Sequence, residues 1–245
     1  TLLMIESKEQ ERRNEIYALY VQNILPKFSE QIEADKEEFK RLCREYITSD
    51  RKKSVENILN GLEKTDFFTA PSSTAFHLNI PGGLCKHSIN VFNTALALCE
   101  KILNEDIENG RTIAGISKVT AESIAVTALF HDLCKINMYF PDEKFTKEGS
   151  KWVRHLKWGI EDKLPIGHAE KSLYFASKLI SLTPDEVMAI RWHMGMYDMG
   201  EKGSFLRNSF YTASDECPLV TILHCADTYV SKCMETTYDL TQYTL

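Results

Sequence analysis

Four side chains of metal-ligand type stand in stretches whose apolar content marks them as buried helix: His87, the doublet His131-Asp132, and Asp227. The doublet is the clearest case. Ile124, Ala125, Val126, Ala128, Leu129 and Phe130 run directly into it, and an unpaired carboxylate in such surroundings costs several kcal/mol. A divalent cation removes that cost. His168 and His193 lie between the doublet and Asp227, so one site can draw on up to six ligands and hold one or two divalent ions. Imidazole and carboxylate suit borderline to hard ions such as Mn, Fe, Co, Ni, Mg or Zn, and a carboxylate can bridge a pair of them about 3.5 to 4 Å apart. Lys135 follows Asp132 by three residues. On a continued helix it shares their face, where it either binds phosphate or orients Asp132, and substrate phosphate is the favoured expectation.

The elements that position these groups are read from periodicity and punctuation. Pro81-Gly82-Gly83 is a turn, and the helix after it carries Phe92, Ala95, Leu96 and Cys99 on one face with His87 in its opening turns. Thr120 with Ser123 opens the helix that ends around the doublet. Leu173, Ala176, Leu179 and Ile180 form the stripe of a helix that starts at His168 and stops near Leu182. The next helix has Thr183 as its cap, Pro184 at its first position and Glu186 at its third, and it ends with His193 before Gly195. So short a connection makes the two helices antiparallel neighbours. The rise from His168 is about 21 Å and the return to His193 about 14 Å, a gap of roughly 7 Å that side chains can span. A last helix, from Pro218 through Val230, carries Asp227.

Outside this region, residues 8 to 65 mix Lys, Glu and Arg with apolar residues at helical spacing, such as Ile16, Leu19, Tyr20, Ile24, Phe39, Leu42 and Tyr46. They read as two or three surface helices, a helical extension over 1–66 that packs on a main domain of 67–245 or on a second subunit in a homodimer. Residues 139 to 167 break the helical pattern, with Trp152 and Trp158 among charges and a Glu-Gly-Ser turn. A β-hairpin acting as a lid or substrate-facing insertion is expected there.

Composition narrows the function classes. At 245 residues and 43% hydrophobic, the chain is long enough for one large core. Seven cysteines without a C-x-x-C spacing suggest neither a disulfide framework nor a zinc ribbon. No run approaches the roughly 20 apolar residues of a membrane span, and the early Glu, Lys and Arg residues are unlike a secretion signal, so a cytoplasmic protein is expected. A net charge of −6 offers no general attraction to nucleic acid and favours a small substrate over a long polyanion.

The motifs Gly82-Gly83-Leu84-Cys85-Lys86-His87, His131-Asp132-Leu133-Cys134-Lys135, Gly167-His168, Trp192-His193 and His224-Cys225-Ala226-Asp227 occur in an order that resembles the HD superfamily of metal-dependent phosphohydrolases, over roughly residues 80 to 235. The resemblance implies an all-α helical bundle, here with an N-terminal helical segment and a small hairpin insertion. It implies that His87, His131, Asp132 and Asp227 hold one ion and that, in a binuclear site, Asp132 bridges while His168 and His193 hold the second. Activated water then attacks phosphorus, with Asp132 and Lys135 as catalytic groups and a nucleotide as a fitting substrate. The stretch from Gly82 through Asp132 is also similar to the HD portion of bacterial 3′-5′ exoribonucleases, but the run of short strands of their nucleic-acid module has no counterpart before residue 80. Lys86, Lys171, Arg191 and Trp192 stand beside the ligands as candidate substrate contacts, and His224 as a supporting residue for Asp227's helix. His77 and His155 read as structural. A nucleotide- or metal-binding sensor without turnover is the alternative, and the O₂-activating iron proteins within the resembling superfamily keep an oxygenase as a third reading.

Overall fold

The computed structural model describes residues 2–110, 119–198 and 204–245. Nine α-helices and one two-stranded sheet form among them: α1 (Leu2–Asn23), α2 (Ser29–Tyr46), α3 (Val55–Glu63), α4 (Gly83–Asn109), α5 (Ala121–Phe130), β1 (Tyr139–Glu148), β2 (Lys151–Ile160), α6 (His168–Leu179), α7 (Pro184–Trp192), α8 (Ser204–Glu216) and α9 (Pro218–Tyr229). None of these helices is long and apolar enough to cross a membrane.

The central helix is α5. Every residue from Ile124 through Phe130 is buried, as a helix apolar on all sides requires, and α2, α4, α7 and α9 pack around it. Its start is fixed by a reciprocal cap, in which the Ser123 amide donates to Thr120 Oγ1 and the Thr120 amide to Ser123 Oγ, each at 3.0 Å. The expected cap of α7 is present too: the Thr183 amide donates to Glu186 Oε2 at 2.9 Å and the Glu186 amide to Thr183 Oγ1 at 3.3 Å. Glu186 is fully buried and is neutralised by Arg51, whose Nη1 donates to it at 2.7 Å while its Nε donates to Glu122 at 2.8 Å. One guanidinium thus ties the first turns of α5 and α7 together.

Glycine opens α4 for a steric reason. A side chain on Gly83 would place its Cβ 2.0 Å from the Leu78 carbonyl oxygen, so only glycine lets the 77–79 segment lie against the helix start that carries His87.

The N-terminal region is more deeply integrated than surface helices would be. From α2 and α3, Phe39, Leu42, Cys43, Ile58, Leu59 and Leu62 enter the same core as α4 and α5, with Phe39 edge-on to Phe67 and Phe130. Apart from the buried Asp35, their dense charges occupy the outer face, which is what made both helices read as peripheral. Helix α1 packs elsewhere. Its Tyr20, with Ile24 just past its end, joins Leu156 and Trp158 of the hairpin in a small separate cluster.

The hairpin forms as expected, antiparallel with Tyr139 opposite Ile160, and it is clamped on two sides. Arg12 of α1 donates to Asp142 and Glu143 at 2.9 and 3.0 Å, and Arg154 reaches back to Glu15 at 2.9 Å. On the other edge the Leu156 amide donates to the Tyr243 carbonyl and the Leu245 amide to the Arg154 carbonyl. Trp158, buried, donates its indole N–H to the Asn79 carbonyl at 2.9 Å.

Candidate metal centre

The six expected ligands come together. His87 stands in the second turn of α4, His131 and His193 cap the C-termini of α5 and α7, His168 begins α6, and Asp227 lies in the last turns of α9. Imidazole centroids are 5.2 Å apart for His87 and His131, 4.9 Å for His131 and His193, and 5.2 Å for His168 and His193. The antiparallel α6–α7 pair does bring its two histidines to one end, although α6 stops at Leu179 rather than near Leu182.

His131 and His193 are held by the same local device. Each donates its Nδ1–H to the carbonyl three residues earlier, Ala128 at 2.8 Å and Ile190 at 2.7 Å. That satisfies a carbonyl the helix end leaves unpaired and turns the Nε2 lone pair inward. His224 adds a further brace, its Nδ1–H donating to the His193 carbonyl at 2.7 Å, with its ring 2.6 Å from where a Cβ on Gly195 would lie.

Asp132 stands between the two halves of the cluster. Its Oδ2 is 3.5 Å from Nε2 of both His87 and His131, and its Oδ1 is 2.9 Å from His168 Nε2 and 3.8 Å from His193 Nε2. Asp227 Oδ1 completes the first half, 3.2 Å from His87 Nε2 and 4.0 Å from His131 Nε2. Ligands about 2.1 Å from one ion are separated by about 3.0 to 4.2 Å, so these spacings fit. The donor set has a second feature in keeping with this: His193 Nε2 is buried without a protein hydrogen-bond partner, a lone pair that a bound ion would satisfy. These groups can hold a metal ion.

The electrostatics point the same way. Burial and the neighbouring histidines push His193 down to about 3, and burial lowers His131 as well, so both are neutral donors. Burial opposes the proton on His87, but Asp227 and Glu235 outweigh it and raise His87 to about 9. For His168, burial is likewise outweighed, by the Cys134 sulfur and the Asp132 carboxylate, which raise it to about 10. Asp132, despite burial, is held well below the usual carboxylate range by Lys135 and the histidines. His87 and His168 therefore carry protons in the metal-free protein. A raised folded-state pKa gives stability that is complete below the ordinary value of 6.5 and lost as pH rises through about 9 to 10. Denaturant midpoints in chelator should fall across that window while those with a saturating divalent ion should not, the gap widening with pH because protons and metal compete. A gap independent of pH would contradict this.

Lys135 does not continue the α5 helix. The chain turns into a short 3-10 segment over Leu133–Lys135, and the buried ammonium lies 2.5 Å from Asp132 Oδ2. This ion pair is the orienting contact, one of the two roles open to Lys135. The outer cations are engaged as well: Lys86 with Asp35 at 3.0 Å, Lys171 with Asp162 at 2.6 Å and Arg191 with Glu170 at 2.9 Å. Trp192 is buried, with Arg191 over its ring at 4.3 Å and Phe210 beside it. It is a packing residue with no open face for a base.

Two participants escaped the sequence reading. Glu235, just past α9, accepts from His87 Nδ1 at 2.9 Å, His77 Nδ1 at 2.6 Å and Asn90 Nδ2 at 2.8 Å; burial opposes its charge, but the two histidines hold it down at about 2. His77 thus belongs to the surroundings of the site, its ring 4.7 Å from that of His87. Cys134 places its sulfur 3.3 Å from His168 Nδ1; its position between Asp132 and Lys135 was the available signal. Glu235 had none, because nothing local marks it. His155 lies apart from the centre, buried in β2 with Nε2 3.1 Å from Glu148. No protein-family model, curated protein or solved structure matches the chain.

Proposed function

We propose that the protein is an HD-type metal-dependent phosphohydrolase acting on a small phosphate ester, with nucleotides as the leading class. The observation that supports this most is the division of Asp132, whose two oxygens face two different pairs of histidines, the arrangement a bridging carboxylate needs. His87, His131, Asp132 and Asp227 would hold one ion; Asp132, His168 and His193 would hold the second. Divalent ions bound there supply Lewis acidity for phosphoryl oxygens and lower the pKa of water. Asp132 is kept ionised and fixed in direction by Lys135. His131 and His193 are locked in the tautomer that faces inward. His87, His131, Asp132 and His193 are closed to solvent, whereas the His168 side chain is 26% exposed and that of Asp227 12%. Substrate therefore approaches on the His168 side, where α6 begins and the positive end of its dipole favours an anion.

Purified protein with Mn²⁺, Co²⁺ or Fe²⁺ is expected to release phosphate or alcohol from members of a panel of nucleoside mono- and diesters. No turnover on any of them would overturn the reading. The sensor alternative draws support from one observation: the outer cations Lys86, Lys171 and Arg191 are each engaged by a carboxylate. It expects tight nucleotide binding without hydrolysis under the same conditions.

A further inference from the structure

Lys171 differs from the other cations around the centre in how deeply it is set. Its side chain is 5% exposed, against 39% for Lys86 and 19% for Arg191. It follows His168 by three residues on α6, so the two side chains share a face of that helix. Its Nζ donates to Asp162 Oδ1 at 2.6 Å and approaches Met138 Sδ at 4.0 Å. A thioether is a weak acceptor for an ammonium with three donors, so one carboxylate balances nearly the whole charge.

That carboxylate comes from outside. Asp162 lies in the connection 161–167 between β2 and α6, where every residue except Leu164 is exposed, and its own side chain is 32% exposed. The Leu164 amide donates to the same Oδ1 at 3.0 Å and helps turn it inward. On the inner side, the Met138 amide donates to the Lys135 carbonyl at 3.3 Å, and the Cys134 amide to Ser172 Oγ, next to Lys171, at 3.1 Å. The ammonium therefore sits where the turn after Asp132 meets the start of α6, with Asp162 as its cover toward solvent.

We propose that Lys171 is a phosphate-binding residue of the site and that Asp162 holds its place, so that a phosphate group arriving on the His168 side displaces the carboxylate and takes the ammonium. The proposal rests on the phosphate-ester reading above. A buried ammonium is costly without an anion, but exchanging one anion for another keeps it paired. Phosphate carries more charge than a carboxylate and an additional acceptor oxygen. Asp162, already a third exposed, returns to water on release.

Calorimetric titration of the Mn²⁺-loaded protein with inorganic phosphate tests this. Lys171→Met should weaken binding about 10- to 100-fold, the scale of one charge-assisted hydrogen bond. Asp162→Asn should instead tighten it about 3- to 10-fold, because the occupant no longer competes. Glu161→Gln removes a charge next door, one that faces Arg13 at 2.8 Å, and should not reproduce the gain. Asp162→Asn alters an exposed connection alone, so it decides the matter even where Lys171→Met does not fold. A pair that is merely structural predicts losses in both variants. Phosphate affinity unchanged or weakened in Asp162→Asn, unchanged in Lys171→Met, or raised equally in Glu161→Gln would each overturn the assignment, as would no phosphate binding at all. Opposite shifts without hydrolysis of any phosphate ester would uphold it and defeat the phosphohydrolase reading.

Discussion

Asp132→Ala should abolish metal binding at both positions and reduce phosphate-ester hydrolysis to background, with a loss of about 3 to 5 kcal/mol in the stability of the metal-free protein. The functional loss follows from geometry, since this carboxylate is shared by the His87–His131 pair and the His168–His193 pair. The stability loss has a separate origin. Lys135, buried beside Asp132, would keep its charge without its partner, and half of a broken buried pair is the expensive state. Combining Asp132→Ala with Lys135→Met removes both charges. The double variant should recover most of the stability and none of the metal binding or turnover, as read by chemical denaturation, metal analysis and assay. Wild-type metal content in either variant would refute a bridging role for Asp132.

Glu235→Gln is expected to weaken metal binding by about 10- to 100-fold, the usual scale for losing a charged partner of a ligating histidine. The carboxylate fixes His87 with Nδ1 protonated and Nε2 aimed at Asp227 and Asp132. Glutamine keeps the shape and one acceptor but not the charge. Glu235→Ala should cost more, because the Nδ1–H of His77 and the side-chain amide of Asn90 lose the same acceptor. Calorimetric titration of Zn²⁺ or Mn²⁺ gives the affinity directly. An affinity unchanged within error would leave Glu235 a purely structural residue.

What the sequence revealed of this site was whatever local chemistry encodes. The apolar run before His131 announced a central helix, and Thr183, Pro184 and Glu186 announced the start of α7 to the residue. The convergence of His168 and His193 followed from helix lengths and a short connection. What stayed hidden is decided across the fold. His87 and Glu235 stand 148 positions apart with no pattern that pairs them, and Asn90, His77 and Glu235 become neighbours only when the segment after α9 lies against the start of α4. That α5 stops short of Lys135 was hidden for a related reason: the helix ends at Phe130, and helix ends are weakly encoded where apolar residues continue beyond them. The peripheral reading of α2 and the unforeseen anchoring of the hairpin share a cause as well. Charges such as Arg12 and Arg154 look solvated in sequence, and only the tertiary partners Asp142, Glu143 and Glu15 show them to be fasteners.

Glu235 lies at the head of the same stretch that grips the 77–79 segment, through Leu78 N to Thr236 O, Asn79 Nδ2 to Tyr238 O and Tyr238 N to Asn79 Oδ1. Peeling that stretch away would remove the acceptor of His87 Nδ1, so an ion held by His87 should also hold this stretch in place. The Leu78 amide, which donates to the Thr236 carbonyl within that stretch, should then exchange its hydrogen more slowly with a divalent ion added than in chelator, and equal rates would uncouple the stretch from the centre.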